Sequence, residues 1–128
     1  MMLTQNTASS LGIKDRQDPN KSIEGGARYF SYLKDQVHKD IATPDRTWIA
    51  LAAYNVGMGH IKDAQHLAMR MNLNPYSWND LKTVLPLLAY KKYYQTLQYG
   101  YARGWEPVQY VKRIRSYHAL LEHFLREI

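Results

Sequence analysis

Prolines placed directly after capping residues constrain this chain more than any other feature. Asp18-Pro19 reads as an N-cap followed by proline at the first helical position. Thr43-Pro44-Asp45 repeats the signal, and Glu106-Pro107 opens a last helix. Proline is tolerated there because its missing N–H has no intrahelical partner to lose. After the first start, Ile23, Ala27, Phe30, Leu33 and Val37 recur at three- and four-residue steps, which is one helical face. No segment alternates apolar and polar residues with β-branched enrichment, so no strand is predicted. The expected fold class is all-α, with five to six short helices.

The second helix, from Thr43, carries Trp48, Leu51 and Ala52 inward and ends at Gly57. A third runs from about Ile61 to Met71, with Ile61, Ala64, Leu67, Ala68 and Met71 on one side, and Asn72, Asn74 and Pro75 break it. Asn79-Asp80 can cap a fourth, which Pro86 should kink or split. The helical pattern resumes from Leu87 to Tyr99, and Gly100 and Gly104 flank a loop, GYARGWEP. The last helix points Val108, Val111, Ile114, Leu121 and Phe124 inward. The opening residues, MMLTQNTASSLG, read as a short helix capped by Gly12. Gly25 and Gly26 sit inside the first helix, each at a cost of roughly 1 kcal/mol relative to alanine. The simplest compensation is another backbone packed very close.

A chain of 128 residues suits one domain, and a hydrophobic fraction of 45% makes it globular rather than disordered. Cysteine is absent, which excludes disulfides and Cys-based metal sites. No apolar run is long enough to span a bilayer, and MMLTQNTASSLG lacks the basic start and apolar stretch of a signal peptide. The net charge of +6 fits a polyanionic partner (nucleic acid, anionic lipid or an acidic cell-wall polymer) or simply a solvated surface. Its densest cluster, Lys112, Arg113 and Arg115, is diluted by Glu106, Glu122 and Glu127. Five of the 11 tyrosines lie between Tyr90 and Tyr101, which suits a partly wet groove or a plain core edge.

Several chemistries find little support. His60 and His66 are six residues apart, and His118 and His123 five apart, so neither pair shares a helical face for a metal. No serine sits in a nucleophile elbow, and AAYNVGMGH lacks the lysine and spacing of a phosphate-binding loop. The helices before Gly57 and after Gly59 are compatible with helix-turn-helix DNA binding. Among the acids, most sit at helix starts or polar faces, where a solvated or capping role suffices. Glu106 differs, lying between Trp105 and Pro107 in a loop with two glycines, although helix capping also accounts for it.

Three segments together resemble one family. MMLTQNTA is similar to the second half of the Gly-Leu-Met-Gln-Leu-x-Pro-x-Thr-Ala motif of lytic transglycosylases with the goose-type lysozyme fold. AAYNVGMG resembles their Ala-Tyr-Asn-x-Gly motif, and EPVQYVKRIRSY their Glu-Thr-x-x-Tyr-Val-x-x-Ile-x-x-Tyr segment. DPNKSIEGGARYFSYL is similar to the helix between the first two. The order is kept and the match covers nearly the whole chain.

The resemblance implies an enzyme that cleaves the β-1,4 bond between N-acetylmuramic acid and N-acetylglucosamine in peptidoglycan, without water and without a cofactor or metal. One glutamic acid protonates the leaving oxygen and then acts as base while the muramyl 6-hydroxyl closes on C1. It implies roles for Tyr54, whose hydroxyl points at the catalytic carboxyl, and for Asn55, which braces the adjoining backbone. Tyr110 orients the acid, and Glu106 matches a groove-side glutamate. Met1 and Met2 match positions lining the saccharide groove, Gly57 ends its helix, and Gly59 lets the chain pass close to the glycan. The family's catalytic glutamate lies upstream of the Gly-Leu-Met segment, hence before Met1, and no glutamate here occupies that position. Residues 1–128 are therefore expected to be a partial catalytic domain, inactive alone. Peptidoglycan strands are the implied partner, nucleic acid is not, and the implied place is the periplasm, with outer-membrane association only through parts outside this chain. A catalytically dead peptidoglycan-binding module and a basic helical DNA-binding domain are the alternatives.

Overall fold

The computed structural model describes residues 19–127, with side chains from Ser22 onward. The described elements are helices α1 (Pro19–Gln36), α2 (Asp45–Val56), α3 (Met58–Arg70) and α4 (Trp78–Val84), a 3₁₀ segment (Leu85–Ala89), α5 (Lys91–Tyr94) and α6 (Trp105–Glu127). Among the described residues there is no strand, so the all-α expectation holds. None of the described helices is long and apolar enough to cross a membrane. The helix expected over MMLTQNTASSLG, and Asp18 as a cap, lie outside the described residues.

α2 lies at the centre. Ile49, Ala50, Leu51, Ala52 and Ala53 are all buried, a run no single helical face could supply. α1, α3 and α6 pack around it. The sequence reading gave α2 one inward face of Trp48, Leu51 and Ala52. The structure buries it nearly all round because three alanines leave room for three neighbours, and Trp48 is only partly buried. The start of α2 also differs. Pro44 occupies the N-cap, with no side-chain cap, behind a cis Thr43-Pro44 bond.

α1 turns inward part of the stripe that apolar spacing predicts: Phe30, Leu33 and Val37 face the core, while the stripe's first residues do not. Ile23 is 70% exposed and Ala27 is exposed. Gly26 and Tyr29 complete the inward stripe. A glycine has no apolar side chain to count, so the pattern could not show it.

Gly57 alone joins α2 to α3, with φ of 102°, in the region that favours glycine. Its N–H donates to the Ala53 carbonyl at 2.8 Å, and its own carbonyl accepts from Ile61 at 3.3 Å. α3 therefore begins at Met58, three residues before the expected start. A helix-turn-helix connection takes about 3–4 residues, so the single-residue join departs from that arrangement. α3 buries Ile61, Ala64, Leu67 and Ala68, but Met71 is exposed, because the helix has ended at Arg70. Asn72 follows in the left-handed region at φ 59°, and Leu73 N–H closes onto the Ala68 carbonyl at 2.9 Å.

Ser77, not Asn79-Asp80, caps α4: its hydroxyl accepts from the Asp80 N–H at 3.4 Å. The Asp80 carboxylate turns back instead, accepting from Asn74 N–H at 2.8 Å. Pro86 splits the helix as expected, and the chain tightens into the 3₁₀ segment. The helix expected over Leu87 to Tyr99 shortens to α5, and residues 95–104 form a loop. Buried Asp63 holds that loop, its two carboxylate oxygens accepting from Gln98 N–H at 3.3 Å and Tyr99 N–H at 2.9 Å. Backbone donors paired by the carboxylate replace the helical ladder here.

α6 starts at Trp105 and buries Pro107 and Val111. Leu121 and Phe124, expected inward, are 57% and 58% exposed, because among the described residues no neighbouring helix covers that outer part of α6.

At the entry to α6, a Cβ on Gly104 would sit 1.6 Å from the Leu85 carbonyl oxygen. A backbone atom cannot yield to it. Gly104→Ala is expected to destabilise the chain by about 3 kcal/mol or more, the upper end of ordinary overpacking. Urea unfolding checks this, and an unchanged midpoint would show that the loop does not lie against Leu85.

Candidate active site

Tyr54 stands near the C-terminal end of the buried helix α2, where α1 passes closest. A Cβ added to Gly26 would lie 3.2 Å from the Tyr54 hydroxyl. The compensation for a mid-helix glycine is therefore a phenol oxygen, not the close backbone the sequence suggested. The Tyr29 ring tilts against that of Tyr54 at 5.6 Å between centroids, at 52°. Tyr110, from the second turn of α6, reaches the same place.

The Tyr54 and Tyr110 hydroxyl oxygens are both buried, and neither has a hydrogen-bond partner among the described residues. Burial pushes the Tyr54 phenol above its ordinary value, and the neighbouring Tyr110 and Tyr29 add to the effect. Burial likewise raises Tyr110. Both groups stay neutral, so each keeps a proton to donate. Two unsatisfied donors near enough for one to affect the other's ionisation, one of them beside a glycine, are a prepared place for an acceptor.

The other expected site residues are placed as follows. Glu106 lies one helical turn before Tyr110 and is exposed, with its carboxylate 3.5 Å from Arg103 Nη1. Asn55 is exposed on the last turn of α2. Gly57 ends α2 as expected. A Cβ on Gly59 would meet the Tyr99 ring at 2.9 Å, so that face of Gly59 lies under an aromatic side chain. Met1 and Met2 lie outside the described residues.

Two residues gain roles that spacing did not reveal. Asp63, grouped by sequence among the solvated acids, is 1% exposed and fixes the loop carrying Tyr99. Both its oxygens are used on backbone donors. His60, weighed only as a metal ligand, has a buried Nδ1 with no described partner and meets Tyr99 edge-on at 6.3 Å. Its position directly after the glycines of AAYNVGMG was the one available signal.

Among known protein families, one matches this all-α chain. The transglycosylase SLT domain family matches residues 1–76, and the chain belongs to that family. Membrane-bound lytic murein transglycosylase F of Pseudomonas syringae pv. syringae (strain B728a) is 55% identical over 121 residues, covering 94% of this chain and 24% of the relative. The protein of the same description from Pseudomonas fluorescens (strain Pf0-1) is also 55% identical, over 94% of this chain and 25% of the relative. That from Pseudomonas putida (strain GB-1) is 54% identical over the same shares. The chain thus spans about a quarter of the length of these relatives.

Because both phenols are held above the ordinary value of 10.0, the unfolded chain ionises first as pH rises. Their titration leaves stability unchanged below about pH 10 and lowers it as pH climbs from there toward the folded-state values. Ultraviolet titration of phenolate absorbance should show the latest ionising step diminished in Tyr54→Phe. Loss of amplitude from the ordinary tyrosine step instead would mean that the hydroxyl is solvated.

Proposed function

We propose that this chain contributes part of the glycan groove of a peptidoglycan lytic transglycosylase. The reaction cleaves the β-1,4 bond between N-acetylmuramic acid and N-acetylglucosamine. A glutamic acid gives its proton to the leaving O4 as the C1–O4 bond breaks. The muramyl O6 then bonds to C1 and its proton passes to the same carboxylate, leaving a 1,6-anhydro end. Atoms balance without water, and the usual second carboxylate is replaced by a nucleophile already tethered to the sugar.

The observation that carries this reading is the pair of buried, neutral phenols on Tyr54 and Tyr110. Their spare protons suit the two oxygens of a carboxyl group that must alternate between acid and base. Tyr54 is assigned to hydrogen-bond that carboxyl, and Tyr110 to orient it. Asn55 is assigned to brace the turn after α2, and Met1, Met2, Glu106, Gly57 and Gly59 to border the saccharide groove. The acid itself is assigned to sequence before Met1. Glu24, Glu106 and the two glutamates of the outer half of α6 are all exposed, whereas a general acid wants an apolar pocket to raise its pKa. The proposed setting is the periplasm, in keeping with the envelope enzymes to which the chain is similar.

Zymography on purified peptidoglycan tests this. Residues 1–128 alone should clear nothing, and an N-terminally extended chain bearing the relatives' preceding segment should clear. In the extended chain, Tyr54→Phe should lower turnover roughly hundred-fold while leaving glycan binding nearly unchanged. Binding without clearing by the extended chain would instead mark a glycan-binding module.

A further inference from the structure

Away from the tyrosines, a groove of about 700 Å³ lies between α4 and α6. Its apolar wall is formed by Trp78, which is 2% exposed, and Val108. Lys82 enters from α4, and Lys112 and Arg115 from α6. Among the described residues, no acidic side chain lines it. None of the three cations is within ion-pair distance of a carboxylate among the described residues. Arg115 is already held, its guanidinium stacked over the Trp48 ring at 4.8 Å. A stacked guanidinium loses little further freedom on meeting an anion.

We propose that this groove is a second binding site, for the acidic peptide that branches from each muramic acid of peptidoglycan. The inference rests on the glycan-cleaving reading and extends it to a part of the substrate that the tyrosine site leaves untouched. The match is chemical. The peptide carries more carboxylates than amines, with alanine methyl groups between them. The groove offers three uncompensated cations around an apolar wall. Its volume falls in the range of sites that enclose small ligands. A nucleic-acid duplex would need a row of cations on an open face, and a bilayer a flat or convex one. This surface is concave and its apolar part is sunk.

The geometry also decides which peptide reaches it. Val108, Lys112 and Arg115 share one side of α6, at four- and three-residue steps. Tyr110 is two residues from Val108, a turn of about 200°, so it faces the other way. A helix is about 10–12 Å across. An extended four-residue peptide reaches roughly 13–14 Å. Half-way round such a helix is about 16–19 Å, beyond that reach, so the peptide seated in the basic groove branches from a muramic acid other than the one at the tyrosines.

The test uses the 128-residue chain and the double variant Lys82→Gln/Lys112→Gln, with circular dichroism to confirm folding. Both lysines are exposed and outside the tyrosine site. Three probes are used: intact peptidoglycan, glycan strands stripped of peptide by an amidase, and the isolated stem tetrapeptide. The variant should bind intact peptidoglycan about three- to ten-fold more weakly than the parent, as loss of two partly exposed charge contacts implies. It should bind stripped strands equally well. The tetrapeptide should give saturable NMR shifts at Lys112 and Arg115 in the parent only. Equal affinity of parent and variant for intact peptidoglycan, or an equal loss on stripped strands, would overturn the inference. So would parent binding to phosphatidylglycerol vesicles with no response to the tetrapeptide. Failure of the glycan-cleaving reading looks different: the parent then ignores stripped strands yet still responds to the tetrapeptide, which supports the groove as an acidic-peptide site.

Discussion

Burial of α2 on every side is the constraint from which the rest follows. A helix with Ile49 to Ala53 wholly enclosed must be surrounded by other helices, and α1, α3 and α6 supply that enclosure. The alanines keep those neighbours close, and close neighbours leave little room where α2 emerges. Tyr54 emerges there. Its ring meets Tyr29, its hydroxyl needs Gly26, and Tyr110 closes the other side. The position of the Tyr54 phenol thus follows from how tightly the middle of the helix is packed.

The parts without regular structure are fixed just as firmly, by other means. The loop over residues 95–104 hangs on the Asp63 carboxylate at one end and on the Gly104–Leu85 backbone contact at the other. A buried charge would be costly if unpaired, but both oxygens of Asp63 accept backbone N–H groups. Tyr99, held by that anchor, covers Gly59 and flanks His60. A carboxylate and two glycines thereby fix the floor on which the second and third helices meet.

Much of this was legible in the sequence, and the failures have physical causes. The all-α class, the stop at Gly57 and the split at Pro86 follow from local backbone chemistry, which a sequence carries in full. The motif AAYNVGMG, taken with its flanking segments, singles out Tyr54 and Tyr110, whose hydroxyls the fold buries without a partner among the described residues. On α1, Phe30, Leu33 and Val37 are legible from spacing, but the first turns are not, because Gly26 contributes by lacking a side chain. Asp63 was misread because nothing local distinguishes an acid that will meet backbone donors thirty-odd residues away, at Gln98 and Tyr99. Leu121 and Phe124 were misread because periodicity reports a helical face and says nothing about where the neighbouring helices end. The basic groove was invisible for the same reason: Lys82 joins Lys112 and Arg115 only through packing.

The two phenols have a consequence for anyone who would improve this protein. A buried hydroxyl with no partner costs the fold something on the order of 1–3 kcal/mol. Under the proposed function, sturdiness and chemistry therefore pull in opposite directions at Tyr54 and Tyr110. A laboratory selection that rewarded heat resistance alone would drift toward phenylalanine at both positions, and its winners would be durable proteins with nothing left to offer a carboxyl group.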